Sequence, residues 1–422
     1  MKPTFDDVIG YEAIKTELKQ IVDMVRSPQK YKSLGASLPK GILIHGDPGL
    51  GKTLLAEALI HETGLQHSTV KRTEQKNNVV EPIIRAFHYA KNNEPYIVFL
   101  DDLDKFANED SNHRNAQEYV TVQACINEVR NKDVLVVATV NEMELLPDSL
   151  VRSGRFDRKI KVRPPSIEEA MEIIQHYIKG KPLAKDVDVQ DIVKMVDTQS
   201  CAILETTLNE AAIYAGWDNC DLIWMKHIVE AVLKLQYQAP ADYKAISDES
   251  QQKYALHEAG HLVVAETLQP GSVGFVTIRS QNKDSIKGFT HRCQNFEHHS
   301  YHVMTSLAGK VATEMRYSGN AFDCGDDLRK AYDTIKQGIV GNAACGYGLL
   351  GGWSVSEFSD ARVEVATAAE LERYSMLVKD ILIRNGQLLD RVTSELKEKK
   401  YLLYSDIQRI KTECGIEQAH IV

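Results

Sequence analysis

The chain has no C-x-x-C pair, and its seven cysteines (positions 125, 201, 220, 293, 324, 345 and 414) are odd in number and scattered. That argues against a disulfide framework or a cysteine zinc site and for a reducing compartment. Long hydrophobic runs are also missing. The longest, such as 134–138, have only strand length, so neither a signal peptide nor a transmembrane helix is expected within these residues. A cytoplasmic location is expected for the chain as it stands, or the cytoplasmic face of a membrane if an N-terminal anchor precedes it. Positive charge is not in surplus: 50 Lys and Arg against 59 Asp and Glu give a net charge of -9. General nucleic-acid binding is therefore not expected, because no net positive field exists to replace phosphate counterions. Internal repeats and low-complexity segments are absent as well. What remains is 422 residues at 43% hydrophobic and 26% charged, an ordinary globular composition with room for two or three domains.

Residues 1–165 alternate helical segments with short apolar runs at 41–45, 96–100, 134–138 and 159–162. Runs this apolar suggest strands buried on both faces, hence a parallel sheet flanked by helices. Ser166 with Glu169 reads as a capping box opening an all-helical segment over 166–240, with helices near 202–217 and 222–237. A proline-containing linker near 238–242 separates this from 241–422, which begins with an apolar-rich helix over 249–268 and reads as mainly helical. Residues 273–279 alternate like a strand. That strand is either an edge able to pair with an extended peptide or an internal strand.

Gly46-Asp47-Pro48-Gly49-Leu50-Gly51-Lys52-Thr53 fits G-x-x-x-x-G-K-[ST] between a predicted strand and a predicted helix. The glycines let backbone N–H groups curl round phosphates, and the helix N-terminus adds positive potential. Lys52 is expected at the β- and γ-phosphates of ATP, and Thr53 on Mg²⁺. Asp101 ends the next apolar run, where it would hold the magnesium; Asp102 sits where a base polarises the attacking water, and Asn141 could orient that water. Arg152 and Arg155 suit phosphate contacts across a subunit boundary. A surface ion-pair cluster with Asp157 accounts for them equally well.

His257-Glu258-Ala259-Gly260-His261 places two imidazoles four residues apart, on one face of a helix. These are zinc's preferred nitrogen ligands, and Glu258 suits a general base on the water that such an ion acidifies. Gly260 is unfavourable in mid-helix by ~1 kcal/mol unless something needs the space. His291, His298, His299 and His302 form another cluster, of which 298–302 reads as a solvated helix start and not as a second metal site.

The phosphate loop, the acidic strand, the segment Gly154 to Arg158, Asn209 to Ala212 and His257 to His261 together resemble the FtsH family of AAA ATP-dependent zinc metalloproteases, from about residue 4 to about residue 412. The resemblance implies an α/β AAA ATPase domain (1–165), a helical lid (166–240) and a mainly α-helical zinc metalloprotease domain (241–422). Asn141 then matches the sensor asparagine, and Arg152 and Arg155 the two arginine fingers. A family aspartate in Gly-x-x-x-Asp context supplies the third zinc ligand; here it maps to Asp327, with Asp326 one residue away, while Glu314 maps to a carboxylate orienting a histidine. One Zn²⁺ per subunit, ATP with Mg²⁺, polypeptide substrates and a homohexameric ring follow from the same resemblance, with a membrane involved only through an anchor. Three positions depart from the family. Asp102 replaces a glutamate, and its shorter side chain could leave the water ~1 Å out of place, a misplacement able to cost ~100-fold in rate. The pore loop, 73–78, lacks an aromatic residue to grip a polypeptide. Cys201 replaces a glycine near the nucleotide. The expectation is therefore an ATP-driven zinc endopeptidase whose ATPase works as a slow switch or gate. A nucleotide-regulated assembly protein with little proteolysis, or a peptidase independent of ATP, are the rivals.

Overall fold

A computed structural model describes residues 2–72, 79–107, 116–152, 154–196, 200–239, 247–279, 288–317, 324–342 and 357–416. The chain divides into two compact units, Met1–Gly180 with Thr198–Thr206, and Lys181–Asp197 with Thr207–Val422. The division runs through the helices expected as a lid.

In the first unit, strands β1 (Gly41–His45), β2 (Gln66–Lys71), β3 (Tyr96–Asp101), β4 (Val134–Val140) and β5 (Arg158–Lys161) form one sheet in the order β2-β3-β4-β1-β5. All its pairings are parallel. Alternate residues feed two cores. Leu43, Val98, Leu100, Val136 and Ala138 join Ile83 and Phe87 of one helix and Val122 and Ile126 of another on one face. Ile42, Ile44, Ile97, Phe99, Leu135 and Val137 meet Leu18, Ile21, Leu55 and Leu59 on the other. Those helices are α1 (Glu12–Arg26) and, past the short α2 (Pro28–Lys32), α3 (Lys52–Thr63), α4 (Val80–Asn92) and α5 (Ala116–Glu128). A strand supplying both faces must be apolar at every position, which is why β1, β3 and β4 are evident from sequence. β2 is not: it lies at the sheet edge, and only Val70 of its residues is buried. β5, at the other edge of the sheet, buries only Ile160. The capping box at Ser166 and Glu169 opens α6 (Ile167–Ile178).

The second unit contains α7 (Val189–Met195), most of α8 (Cys201–Trp217), α9 (Met225–Leu235) and α10 (Asp248–Leu268). Strands β6 (Val273–Thr277) and β7 (Phe289–Arg292) follow, then α11 (His299–Tyr317), α12 (Gly325–Asn342), α13 (Glu357–Arg384), α14 (Gly386–Lys399), β8 (Tyr401–Leu403) and α15 (Tyr404–Cys414). The three strands form an antiparallel sheet in the order β7-β6-β8. Of the two readings of 273–279, edge or internal strand, the internal one is realised. β6 is the central strand, its main-chain groups engaged on both sides, and β7 is an edge.

α10 is buried at every position from Tyr254 to Leu268, because α11, α14 and the sheet surround it. Gly260 is where α11 comes closest: a Cβ there would lie 2.7 Å from the Ala308 carbonyl oxygen and 2.8 Å from the Ala312 Cβ. The space that a mid-helix glycine implies is thus taken up by a neighbouring backbone. Gly260→Val should force the two helices apart and lower the stability of this unit by about 1–3 kcal/mol, the usual range for overpacking. Thermal unfolding followed by circular dichroism measures this, and an unchanged midpoint would contradict the close packing.

Candidate metal centre and nucleotide site

The helical spacing of His257 and His261 brings their Nε2 atoms to 3.1 Å. Asp327, in the first turn of α12 where the helix dipole favours an anion, sets its Oδ2 at 3.2 Å from His257 Nε2 and 3.3 Å from His261 Nε2. Among the described residues this is the one group of three His, Cys, Asp or Glu side chains gathered tightly enough to share an ion. A tetrahedral zinc ion bound at 2.0–2.1 Å spaces its ligand atoms by about 3.3 Å, so the three edges fit. The donor set, two imidazole nitrogens and one carboxylate oxygen, fits zinc as well.

The imidazoles are held by α11. His261 Nδ1 donates to the Thr305 carbonyl oxygen at 2.6 Å, which orients the ring and turns Nε2 toward Asp327. The His257 ring lies flat against Gly309, where a Cβ would come within 2.6 Å of Nδ1. That Nδ1 is buried and has no hydrogen-bond partner among the described residues. Asp326 is turned outward, 3.3 Å from Arg329. Glu314 does not orient a histidine as expected: it pairs with Lys310 one turn back on the same helix, at 2.7 Å. Among the described residues, no other histidine joins the cluster. His299 meets the Thr334 carbonyl and His302 lies by Arg292.

Glu258 is buried between the sheet and α10, and its Oε2 accepts from the Thr290 hydroxyl of β7 at 2.8 Å. Burial pushes its carboxyl pKa up, against the opposing pull of both imidazoles. Burial acts the same way on Asp327, but hydrogen bonds from His257 and His261 outweigh it and hold that carboxyl well below the usual range. Burial disfavours a charged His261, yet the Asp327 hydrogen bond raises its pKa overall. The cluster therefore favours positive charge where the three ligand atoms meet.

The nucleotide motif occupies the C-terminal edge of the parallel sheet, where open α/β sheets bind ligands. Gly49 and Gly51 adopt left-handed backbone (φ 79° and 81°) that lets the loop curl before α3. Lys52 folds back, donating to the Asp47 carbonyl at 2.6 Å, and burial lowers its pKa. Ala202, beside Cys201, donates its N–H to the Gly49 carbonyl at 3.2 Å, and the Cys201 thiol lies 3.5 Å from the Tyr11 hydroxyl. Asp101, at the end of β3, accepts from the Thr53 and Thr139 hydroxyls and from Lys71 Nζ. Asp102 Oδ1 accepts from Asn141 Nδ2 at 3.2 Å, and its Oδ2 from Lys105 Nζ at 2.7 Å. Asn141, Asp101 and Asp102 thus stand together beside the loop. Arg155 donates to the Ser149 carbonyl and Arg152 is exposed. Asp157 accepts from the Gly154 and Lys40 backbone N–H groups, and no ion pair joins it to either arginine among the described residues. The pore-loop reading at 73–78 lies outside the described residues.

Sequence reasoning missed Gly309, Thr305, Thr290, Lys71 and Lys105. Gly309 alone carried a signal, a glycine inside a predicted helix. The others act through tertiary neighbours that spacing does not reveal.

A P-loop sheet followed by a helical unit with a His-Glu-x-x-His helix defines an AAA ATPase joined to a zincin-type domain. The pattern of the ATPase family associated with various cellular activities (AAA) matches residues 42–164. ATP-dependent zinc metalloprotease FtsH 2 of Symbiobacterium thermophilum is 30% identical over 437 residues, covering 96% of this chain and 74% of that protein. ATP-dependent zinc metalloprotease FtsH of Lachnoclostridium phytofermentans is also 30% identical, with the same coverage of both chains. The Thermus thermophilus FtsH is 29% identical over 97% of this chain and 70% of its own length. The chain belongs to the FtsH family of ATP-dependent zinc metalloproteases. Among the described residues, no helix is long and apolar enough to cross a membrane.

If Gly309 seats the His257 ring, Gly309→Ala should lower zinc affinity about 10–100-fold while leaving helix content unchanged, the loss typical when a ligand's support is disturbed. Competition against a chromogenic zinc chelator measures it. Asp327→Asn should also weaken zinc binding and Asp326→Asn should not; equal effects of the two would contradict the assignment of the carboxylate.

Proposed function

We propose that the protein is a ring-forming, ATP-dependent zinc endopeptidase. The observation that carries this reading is the His257, His261 and Asp327 cluster with buried Glu258 beside it. These three side chains would hold the ion, which when bound supplies Lewis-acid polarisation of the scissile carbonyl and lowers the pKa of water. Glu258 takes the proton of the attacking water on Oε1 and returns it to the leaving amine. Its Oε2 is fixed by Thr290, and its burial suits it to keep the proton between the two steps. An extended substrate pairs with the free edge of β7, whose Thr290 adjoins Glu258.

On the ATPase side, the loop from Gly46 to Gly51 and Lys52 would cradle the phosphates of ATP, with Thr53 and Asp101 at the position where Mg²⁺ would be held. Asp102 polarises the water and Asn141 orients it. Arg152 and Arg155 reach the nucleotide of a neighbouring subunit, which is what makes a ring, a hexamer by family resemblance, necessary for turnover. The segments 1–165, 166–240 and 241–422 are its ATPase, lid and protease parts. Hydrolysis is slow: the short Asp102 side chain already carries Lys105 and Asn141. That same observation favours a second reading, in which ATP mainly holds the assembly together and proteolysis is weak.

Casein cleavage and ATP hydrolysis measured on the same preparation separate the two. The first reading expects cleavage that a zinc chelator abolishes and that Glu258→Gln lowers by about 10²–10⁴-fold, the range for a general base. Lys52→Ala should remove ATP hydrolysis and the nucleotide stimulation of cleavage, and a tightly folded substrate should resist degradation. Absence of cleavage under every nucleotide condition would support the second reading.

A further inference from the structure

β2 ends on Lys71 and β3 on Asp101, and the parallel register sets the two residues side by side. Asp101 is buried. Its Oδ1 accepts from the Thr53 and Thr139 hydroxyls at 3.0 and 2.8 Å, and its Oδ2 accepts from Lys71 Nζ at 2.6 Å. Both oxygens of the carboxylate that suits magnesium are therefore engaged within the protein. A hydrated divalent ion reaching for Oδ2 meets an ammonium already there, and like charges this close repel. The arrangement is repeated one residue on, where Lys105 Nζ lies 2.7 Å from Asp102 Oδ2. Arg72 Nη1 donates to the Lys105 carbonyl at 2.7 Å, tying the end of β2 to the turn that carries Lys105. Each of the two aspartates at the end of β3 thus has its own ammonium.

A magnesium ion at such a site does two separable things. It neutralises buried carboxylates so that phosphates can approach them, and it polarises the γ-phosphate for attack. An ammonium does the first; with one charge in place of two, it does the second poorly. We propose that Lys71, seconded by Lys105, is a built-in cation of the nucleotide site: it holds Asp101 where magnesium would be held, so that ATP binds with little need of the divalent ion and turns over slowly while Lys71 stays in place. The inference rests on the nucleotide-binding reading and gives it a cause for slow turnover beyond the length of Asp102. Lys71 is a positioning residue here, acting through Asp101.

The test is the affinity of the full-length chain for ATP, by isothermal titration calorimetry, in excess Mg²⁺ and in buffer freed of divalent ions by a chelating resin. The expected result is a wild-type Kd that changes by no more than about threefold between the two buffers, a fraction of the tenfold step that corresponds to 1.4 kcal/mol. Lys71→Met should make binding magnesium-dependent by about tenfold or more, with faster ATP hydrolysis in Mg²⁺, and Lys71→Arg, which keeps the charge, should retain the wild-type ratio. A wild-type Kd that weakens tenfold or more without magnesium overturns the proposal, and needs no variant to be read. So does a Lys71→Met protein whose ratio is unchanged. If ATP binds in neither buffer, the nucleotide-binding reading itself falls.

Discussion

The candidate metal centre depends on how closely α10 and α11 approach. Two glycines set that distance from opposite sides: Gly260 of α10 faces the Ala308 carbonyl, and Gly309 of α11 faces the His257 ring. With no side chain at either point, the helices meet backbone to backbone, and whatever projects between them leaves water. His257 and His261 are what projects there, Glu258 turns toward the sheet, and all three are buried. Burial obliges each to find a partner or a charge of opposite sign. His261 finds the Thr305 carbonyl, Glu258 finds Thr290, and the two Nε2 atoms turn to Asp327. The chemistry is therefore a consequence of the packing, since a looser helix pair would leave the imidazoles solvated and their orientation unfixed.

The nucleotide site follows from a different constraint, the alternation of strands that supply two cores. Because β1, β3 and β4 are adjacent and parallel, the residues leaving their C-terminal ends converge. Gly46 donates to the Val140 carbonyl at 3.3 Å, Thr139 of β4 reaches Asp101 of β3, and Asn141 just beyond β4 reaches Asp102. Of the non-glycine residues in this cluster only Asp102 adopts left-handed backbone, at φ 54°. Its N–H is held by the Thr139 hydroxyl at 2.8 Å, which secures a conformation that non-glycine residues seldom adopt.

What was legible in the sequence is what local pattern determines. β1, β3 and β4 show as apolar runs because both their faces are covered, β5 shows through Ile160 and the adjoining Val162, both buried, and the histidine pair shows because helical spacing alone aligns it. β2 escaped because an edge strand with one buried side chain has no such pattern. β8 escaped because three residues between two helices read as helix until β6, from far back in the chain, pairs with them. The same long-range pairing decided β6, whose sequence gives no hint whether one or both of its edges are covered. Asp327 was nameable only through family resemblance, and Lys71 not at all, because its role comes from a register between two strands.

One rule of charge, applied at both sites, gives opposite results. At the metal centre two carboxylates, the buried Glu258 and the partly buried Asp327, face the same small space as the imidazoles. Apart from those imidazoles, an ammonium near Asp327 is that of Lys330, an exposed side chain 3.7 Å from its far oxygen, a looser contact than those of Lys71 and Lys105, which are also more than half exposed but lie at 2.6 and 2.7 Å. The cluster is left favouring a cation between its ligand atoms, and the two rings supply the nitrogen donors that make a zinc ion the natural one. At the end of β3 the protein has placed an ammonium on each aspartate, one of them against a nearly fully buried carboxylate, so the demand for an external cation is already reduced. The chain thus treats two acidic clusters in opposite ways, leaving one to the imidazoles and pairing the other with its own ammonium groups.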